Sequence, residues 1–165
     1  MGRTYLALLV LLIAMPALAQ EPVGCDKFKW PLDHERTLLA NPSPVASGGE
    51  MEKSLEVAVV VSLVPFADAH LPMAPSRAPK SPETYAGFLR ASALPKSGTY
   101  RVTLSEGAWI DLFQGGHEVK SGAFSGATGC DGIRKSVKFE LTTEPFIIEV
   151  SGTKARSIAI VVTPD

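Results

Sequence analysis

Residue types that most often carry chemistry are scarce in this chain of 165 residues, which has only three histidines and two cysteines. The chain contains no Gly-x-Ser-x-Gly motif, which presents a nucleophilic serine on a strained turn. It also lacks a glycine-rich phosphate loop followed by lysine and a helix, and it has no Cys-x-x-Cys pair. These absences leave no active-site signature, and we expect no cofactor.

An excess of one charge and a second long apolar run are also missing. Lys and Arg number 16 against 17 Asp and Glu, without a polybasic patch, so nucleic acid is not an expected partner. After the first twenty residues the longest apolar run is 55–66, and Glu56 interrupts it. A helix needs about 20 apolar residues to cross a bilayer, so we expect no membrane span in the mature chain.

The chain begins with the features of a secretory leader. Arg3 supplies a positive charge, residues 5–15 are apolar, and residues 17–19 read Ala-Leu-Ala, the small-x-small pattern of a cleavage site. The apolar run is too short for a spanning helix, although an uncleaved anchor is the alternative. The sequence predicts a signal peptide over residues 1–19, a mature chain with a net charge of about −2, and a periplasmic or secreted location.

The two cysteines, Cys25 and Cys130, both lie in the mature chain. An even cysteine count in an exported chain favours a disulfide. By the chain-entropy model, closing a loop of about 100 residues contributes at most ~4.7 kcal/mol. Residues 23–25 weakly resemble the end of a lipoprotein box, which would make Cys25 a lipid attachment site, but Pro22 stands where that box has leucine. Two free thiols are the other alternative.

The remaining chain, residues 20–165, has the pattern of one β-rich domain. Asp33 predicts the start of a short helix, and residues 41–53 and 121–132 are predicted loops. Residues 65–82 contain five prolines, which predicts an extended connection over a surface or an edge. The predicted strands are 55–64, 84–92, 98–105, 108–114, 136–141 and a final pair, 146–150 with 157–162.

Short alternating strands at about ten-residue spacing predict an all-β fold, an antiparallel β-sandwich with one short N-terminal helix. Its topology can be jelly-roll or immunoglobulin-like. Gly115-Gly116 predicts a hairpin turn. The alternation predicts that one set of apolar residues is buried between the sheets: Val102, Leu104, Phe139, Ile148 and Ile160.

Two parts of the chain resemble known families. Residues 98–104, 108–112 and 145–162 resemble the β-sandwich of pre-peptidase C-terminal domains. A larger part, including Cys-Asp-Lys-Phe-Lys-Trp at 25–30, is similar to uncharacterised exported proteobacterial β-sandwich proteins. Some of these carry the label homogentisate 1,2-dioxygenase, which implies a non-haem iron held by two histidines and a carboxylate.

The three histidines, His34, His70 and His117, do not fit that iron site readily. None of them lies in a His-x-His or His-x-Glu pattern, and each is predicted on a separate part of the chain. Zinc would require four ligands with local pairs, which are also missing. We therefore expect no catalytic residue and no metal site.

Trp30 and Trp109 are the candidate binding residues, because an indole ring can stack on a sugar or on a partner protein. Trp109 alternates with Ile110, so one of the two side chains points away from the core. The sequence favours an exported, non-catalytic binding or accessory module, whose partner is a small ligand or an envelope protein. The alternatives are a non-haem iron ring-cleaving dioxygenase and a structural envelope protein.

Overall fold

The computed structural model describes residues 21–51 and 53–165. The predicted signal peptide, residues 1–19, and the predicted first mature residue, Gln20, lie outside this part. The described part contains one α-helix, α1 (Asp33–Leu39), and twelve strands. The strands are β1 (Ser43–Ala46), β2 (Glu50–Met51), β3 (Val59–Ser62), β4 (Val64–Pro65), β5 (Tyr85–Ala91), β6 (Gly98–Leu104), β7 (Trp109–Gln114), β8 (His117–Glu118), β9 (Ser121–Gly126), β10 (Lys135–Leu141), β11 (Phe146–Thr153) and β12 (Ser157–Pro164).

The strands form two sheets that share one core. The first sheet has the order β1-β3-β12-β6-β10-β9, and the second has the order β2-β5-β11-β7-β8, with β4 also paired to β5. Most neighbours are antiparallel, and only the pairs β1–β3 and β2–β5 in the described part are parallel. The predicted all-β sandwich with a short N-terminal helix is therefore confirmed, with parallel pairs added at two edges.

The core consists of alternate residues from both sheets, as the period of two along each strand requires. The five residues predicted to be buried are at most 1% exposed and belong to this core. Ile110 also belongs to it, so the neighbouring Trp109 lies on the outer face of the second sheet. The predicted face assignment is confirmed for every strand that it covered.

Two predicted connections are also present: the hairpin turn between β7 and β8, and the extended proline-rich connection between β4 and β5. Gly115 and Gly116 both have left-handed φ angles, 59° and 79°, which suit a tight hairpin turn. The proline-rich connection contains a short 3-10 turn (Phe66–Asp68), and residues 69–84 then form neither helix nor strand. We call residues 69–84 the strap, because its backbone bonds to the outer face of the second sheet.

The last two strands are not a pair, contrary to the prediction. β11 lies in the second sheet between β5 and β7, and β12 lies in the first sheet between β3 and β6. Residues 154–156 carry the chain from one sheet to the other. Both strands alternate in the same way, and alternation alone does not distinguish a hairpin from a crossover between two sheets.

Three other predictions need correction. The predicted loops 41–53 and 121–132 contain the edge strands β1, β2 and β9. Serine, proline and glycine in β1 and β9, and the two-residue length of β2, give little local signal. The predicted strand 55–64 is shorter, because Glu56 has a left-handed φ of 56° and pairing begins only at Val59. Asp33 does not cap α1, since Leu32 occupies the N-cap position without a side-chain cap.

No helix in the described part is long and apolar enough to cross a membrane.

Candidate functional site

The N-terminal segment, residues 21–32, lies across the outer face of the first sheet and is fixed at several points. Cys25 forms a disulfide with Cys130, as predicted, so neither sulfur is free to carry a lipid. The backbone N–H of Gly24 donates to the carbonyl of Thr128 at 2.8 Å. The backbone N–H of Lys29 donates to the Ser125 hydroxyl of β9, also at 2.8 Å. A disulfide fits an oxidising compartment.

Under this segment the outer face of the first sheet is apolar. Ala159 and Val161 of β12 alternate with core residues and therefore point outward, where they pack with Leu32 and Leu39 of the helix region and with Ile133. Phe28, Trp30 and Leu38 pack against the same cluster. This second apolar cluster explains why residues on both faces of β12 are buried.

The helix is anchored by a buried carboxylate that the sequence analysis did not identify. Glu35 is 1% exposed and accepts a hydrogen bond of 2.7 Å from the Thr163 hydroxyl of β12. The Arg101 guanidinium of β6 lies 3.2 Å from the same carboxylate and 3.6 Å from that of Asp165. A buried charge with these partners is desolvated but compensated. The only sequence signal for this role is that Glu35 shares a helix with Leu38 and Leu39.

A groove of about 390 Å³ lies between the N-terminal segment, the start of α1 and the disulfide. Phe28, Leu32 and Ile133 supply its apolar surface. Its charged lining consists of Asp26, Lys29, Asp33 and Arg36. Ligand sites commonly have ~300–1,000 Å³, so the groove has the size of a small-molecule site, with a lining that is both apolar and charged.

The charges around the groove are not equivalent. Asp26 is neutralised by its neighbour Lys27, whose ammonium lies 2.7 Å from the carboxylate, and Asp33 lies 4.0 Å from Arg36. The Lys29 ammonium lies over the Phe124 ring, 5.1 Å from its centroid, and has no carboxylate partner within the described residues. The groove is therefore lined by one lysine without a carboxylate partner in the described part, which favours an anionic group.

Trp30, the first predicted binding residue, lines this groove. Its indole N–H points toward the Ser136 hydroxyl of β10 at 3.3 Å, and the Lys138 ammonium lies 4.6 Å from its ring centroid. One ring face is therefore engaged by a cation. Trp30 contributes a fixed wall of the groove rather than an open stacking platform.

Trp109, the second predicted binding residue, lies on the opposite side of the sandwich, so the structure does not bring the two tryptophans together. Its indole N–H lies 2.9 Å from the Ser76 hydroxyl of the strap and 3.0 Å from the Asp111 carboxylate. The Arg77 guanidinium and the Lys135 ammonium lie 5.1 Å and 5.2 Å from the ring centroid. The ring is thus occupied by the strap and by two cations.

Two further carboxylates hold the strap against the second sheet, and the sequence analysis missed both. Asp111 and Glu149 are direct cross-strand partners on β7 and β11, and they are 5% and 1% exposed. Glu149 accepts the backbone N–H of Met73 at 2.9 Å, and Asp111 accepts the backbone N–H of Ser76 at 3.2 Å and also its hydroxyl. Their signal in the sequence is an acidic residue at an outward position of a strand whose other face is apolar.

The electrostatics of this strap site are unusual. Burial raises the pKa of Glu149, the hydrogen bond from Met73 opposes the rise, and the nearby Asp111 charge adds to it. One oxygen of Glu149, Oε2, has no hydrogen-bond partner in the described part. Burial lowers the pKa of Lys135, and the charges of Arg134 and Arg77 lower it further. The strap covers this site, and neither Asp111 nor Glu149 lines the groove beside the disulfide.

The three histidines lie in different surroundings and share no contact. His34 on α1 lies 3.2 Å from the exposed Glu56 carboxylate. His70 is exposed at the start of the strap, with a left-handed φ of 43°. His117 is exposed beside the Gly115-Gly116 turn. Within residues 21–51 and 53–165, no group of three or more His, Cys, Asp or Glu side chains is arranged to hold a metal ion.

No family model, no curated protein and no solved structure matches this chain.

Proposed function

We propose that this protein is an exported, non-catalytic binding module, located in the periplasm or secreted, that holds a small amphipathic anion in the groove beside the disulfide. The observation that carries the proposal is the groove itself, which combines about 390 Å³ with an apolar wall and the Lys29 ammonium. An apolar body would pack on Phe28, Leu32 and Ile133, and an acidic group would meet the Lys29 ammonium.

The rigidity of the surroundings supports binding in this groove. The disulfide fixes one wall, the buried Glu35 network fixes α1, and the Ser136 and Lys138 contacts hold Trp30. A site held by such contacts loses little entropy when a ligand binds. The Trp109 ring is already in contact with the strap and with two cations, so the proposal favours the Trp30 side of the molecule.

The test uses 1-anilinonaphthalene-8-sulfonate, a fluorescent probe with an apolar body and one sulfonate. The disulfide-bonded mature protein should bind one probe per chain with saturable fluorescence. Lys29→Gln should weaken binding by about fivefold or more, because the loss of one charged contact costs ~1 kcal/mol. Lys80→Gln is the matched control, because it removes the same charge from an exposed lysine of the strap that does not line the groove. It should leave the affinity unchanged.

If both lysine substitutions weaken probe binding equally, the effect comes from the overall charge of the protein, which would contradict a specific site in the groove. The absence of saturable binding to the folded protein would also contradict it, and would favour a structural envelope role. Phe28→Ala should weaken binding of the probe through loss of apolar contact, while Phe88→Ala, at a similarly half-buried position on β5 of the second sheet, should have a much smaller effect.

A further inference from the structure

The two sulfurs of the disulfide have different surroundings. Cys25 is exposed at the start of a short 3-10 turn, and the Arg36 guanidinium donates to its sulfur at 3.4 Å. Cys130 is partly buried and packs against the apolar cluster with Ile133. Both cysteines line the groove. An external thiolate that enters the groove can therefore approach either sulfur.

These surroundings stabilise the thiolates of Cys25 and Cys130, the two possible leaving groups, to different extents. In thiol–disulfide exchange, one sulfur is attacked and the other leaves as a thiolate, and a better stabilised thiolate leaves faster. A neighbouring guanidinium stabilises a thiolate, whereas apolar surroundings destabilise it. Cys25 beside Arg36 is consequently the favoured leaving group, and Cys130 is the favoured point of attack.

We infer that the Cys25–Cys130 bond is a thiol–disulfide exchange site for external dithiols, with Cys130 attacked and Cys25 released beside Arg36. The attacking thiolate bonds to Cys130 Sγ, the Sγ–Sγ bond breaks, and its electron pair remains on Cys25 Sγ. The second thiol of the dithiol loses its proton and attacks the dithiol sulfur that is bonded to Cys130, and Cys130 leaves as a thiolate that takes up this proton. The protein disulfide gains two electrons and becomes one thiol, Cys130, and one thiolate, Cys25, while the dithiol becomes a disulfide.

Exchange at this bond would release one wall of the groove while the rest of the domain stays folded. The N-terminal segment keeps the hydrogen bonds from Gly24 and Lys29 after the disulfide opens, and Glu35 continues to anchor α1. The inference goes beyond the proposed function, since it requires no ligand in the groove. It also holds or fails independently of probe binding.

The first test measures the rate at which dithiothreitol reduces the folded mature protein. Arg36→Gln should slow reduction by about fivefold or more, Arg36→Lys should restore much of the rate, and Lys80→Gln, at an exposed site on the strap, should match the wild type. An Arg36→Gln rate within about twofold of the wild type would overturn the inference. A wild-type rate no faster than global unfolding would also overturn it, because exchange would then require loss of the fold.

The second test identifies which sulfur is attacked, and it does not depend on stability. A brief reaction with glutathione, quenched with iodoacetamide, should give glutathione on Cys130 and the alkyl group on Cys25, as mapped by mass spectrometry. In a Cys130→Ser variant, the pH profile for alkylation of Cys25 should move to higher pH when Arg36→Gln is added. Glutathione on Cys25, or an alkylation profile that Arg36→Gln does not move, contradicts the inference.

Discussion

Replacement of Glu35 tests how the helix is attached to the sandwich. The carboxylate is 1% exposed, and it joins α1 to β12 through Thr163 and to β6 through Arg101. Glu35→Ala removes both contacts at once. It leaves the Thr163 hydroxyl without this partner, whereas Arg101 keeps the Asp165 carboxylate at 3.6 Å and the carbonyls of Pro31 and Pro164, each at 3.1 Å.

The expected cost follows from these remaining contacts. Removal of one member of a buried ion pair costs ~3–5 kcal/mol when the other charge is left uncompensated. Because Arg101 retains other acceptors, we expect the lower end of that range, about 3 kcal/mol. Glu35→Gln keeps an acceptor for Thr163 but loses the charge, so we expect a smaller cost of about 1.5 kcal/mol.

Urea unfolding of the oxidised protein, followed by circular dichroism, measures both changes in the free energy of unfolding. Asp33→Ala is the control on the same helix, because its side chain is 89% exposed; we expect a change within ~0.5 kcal/mol. A double-mutant cycle with Thr163→Val should give a coupling energy of ~0.5–3 kcal/mol. A Glu35→Ala cost below about 1 kcal/mol, typical of a surface site, would refute the anchoring role.

Three further predictions concern the core, the strap site and the histidines. Phe139→Ala should cost ~3–5 kcal/mol through lost burial and a cavity, and a loss below about 1 kcal/mol in denaturant titrations would place this side chain at the surface. Burial raises the pKa of Glu149 above its usual 4.5, so its contribution to the free energy of unfolding is fully present below pH 4.5 and is lost as the pH rises through the raised pKa. Glu149→Gln should remove this pH dependence; an unchanged profile of unfolding free energy against pH would contradict it. Combined alanine substitution of His34, His70 and His117 should leave the circular dichroism and the unfolding midpoint nearly unchanged. The wild type should not cleave the ring of homogentisate when ferrous iron is added. Ring cleavage by the wild type that is lost on substitution of any one of the three histidines would overturn this prediction.

The fold was predictable where alternation is strong. Residues 98–105 and 136–141 alternate clearly, and the structure gives β6 and β10 almost at those bounds with the predicted inward faces. Pairing between distant strands was not predictable in the same way. The side-chain pattern of β11 is the same whether it pairs with β12 or with β5 and β7, because pairing depends on where the connecting residues cross between the sheets.

For the candidate site, the sequence predicted individual residues but not how they come together. The disulfide was predicted from the number of cysteines and the predicted leader, and Trp30 was identified as a possible binding residue without its surroundings. The groove requires Phe28, Ile133 and Arg36 to meet across about 100 residues of sequence, which no local pattern encodes. Asp111 and Glu149 were missed because an outward acidic residue on a strand ordinarily faces solvent, and only the strap buries these two.

The most direct test of the central claim is a nitrogen–proton NMR titration of the disulfide-bonded mature protein with 1-anilinonaphthalene-8-sulfonate. The account predicts that backbone shifts change at residues 25–36 and 130–133, which surround the groove, and that Lys29→Gln raises the concentration required. Resonances of the strap and of Trp109 should remain in place. Shift changes centred on the strap, or none in the groove at saturation, would contradict the claim that this groove is a binding site.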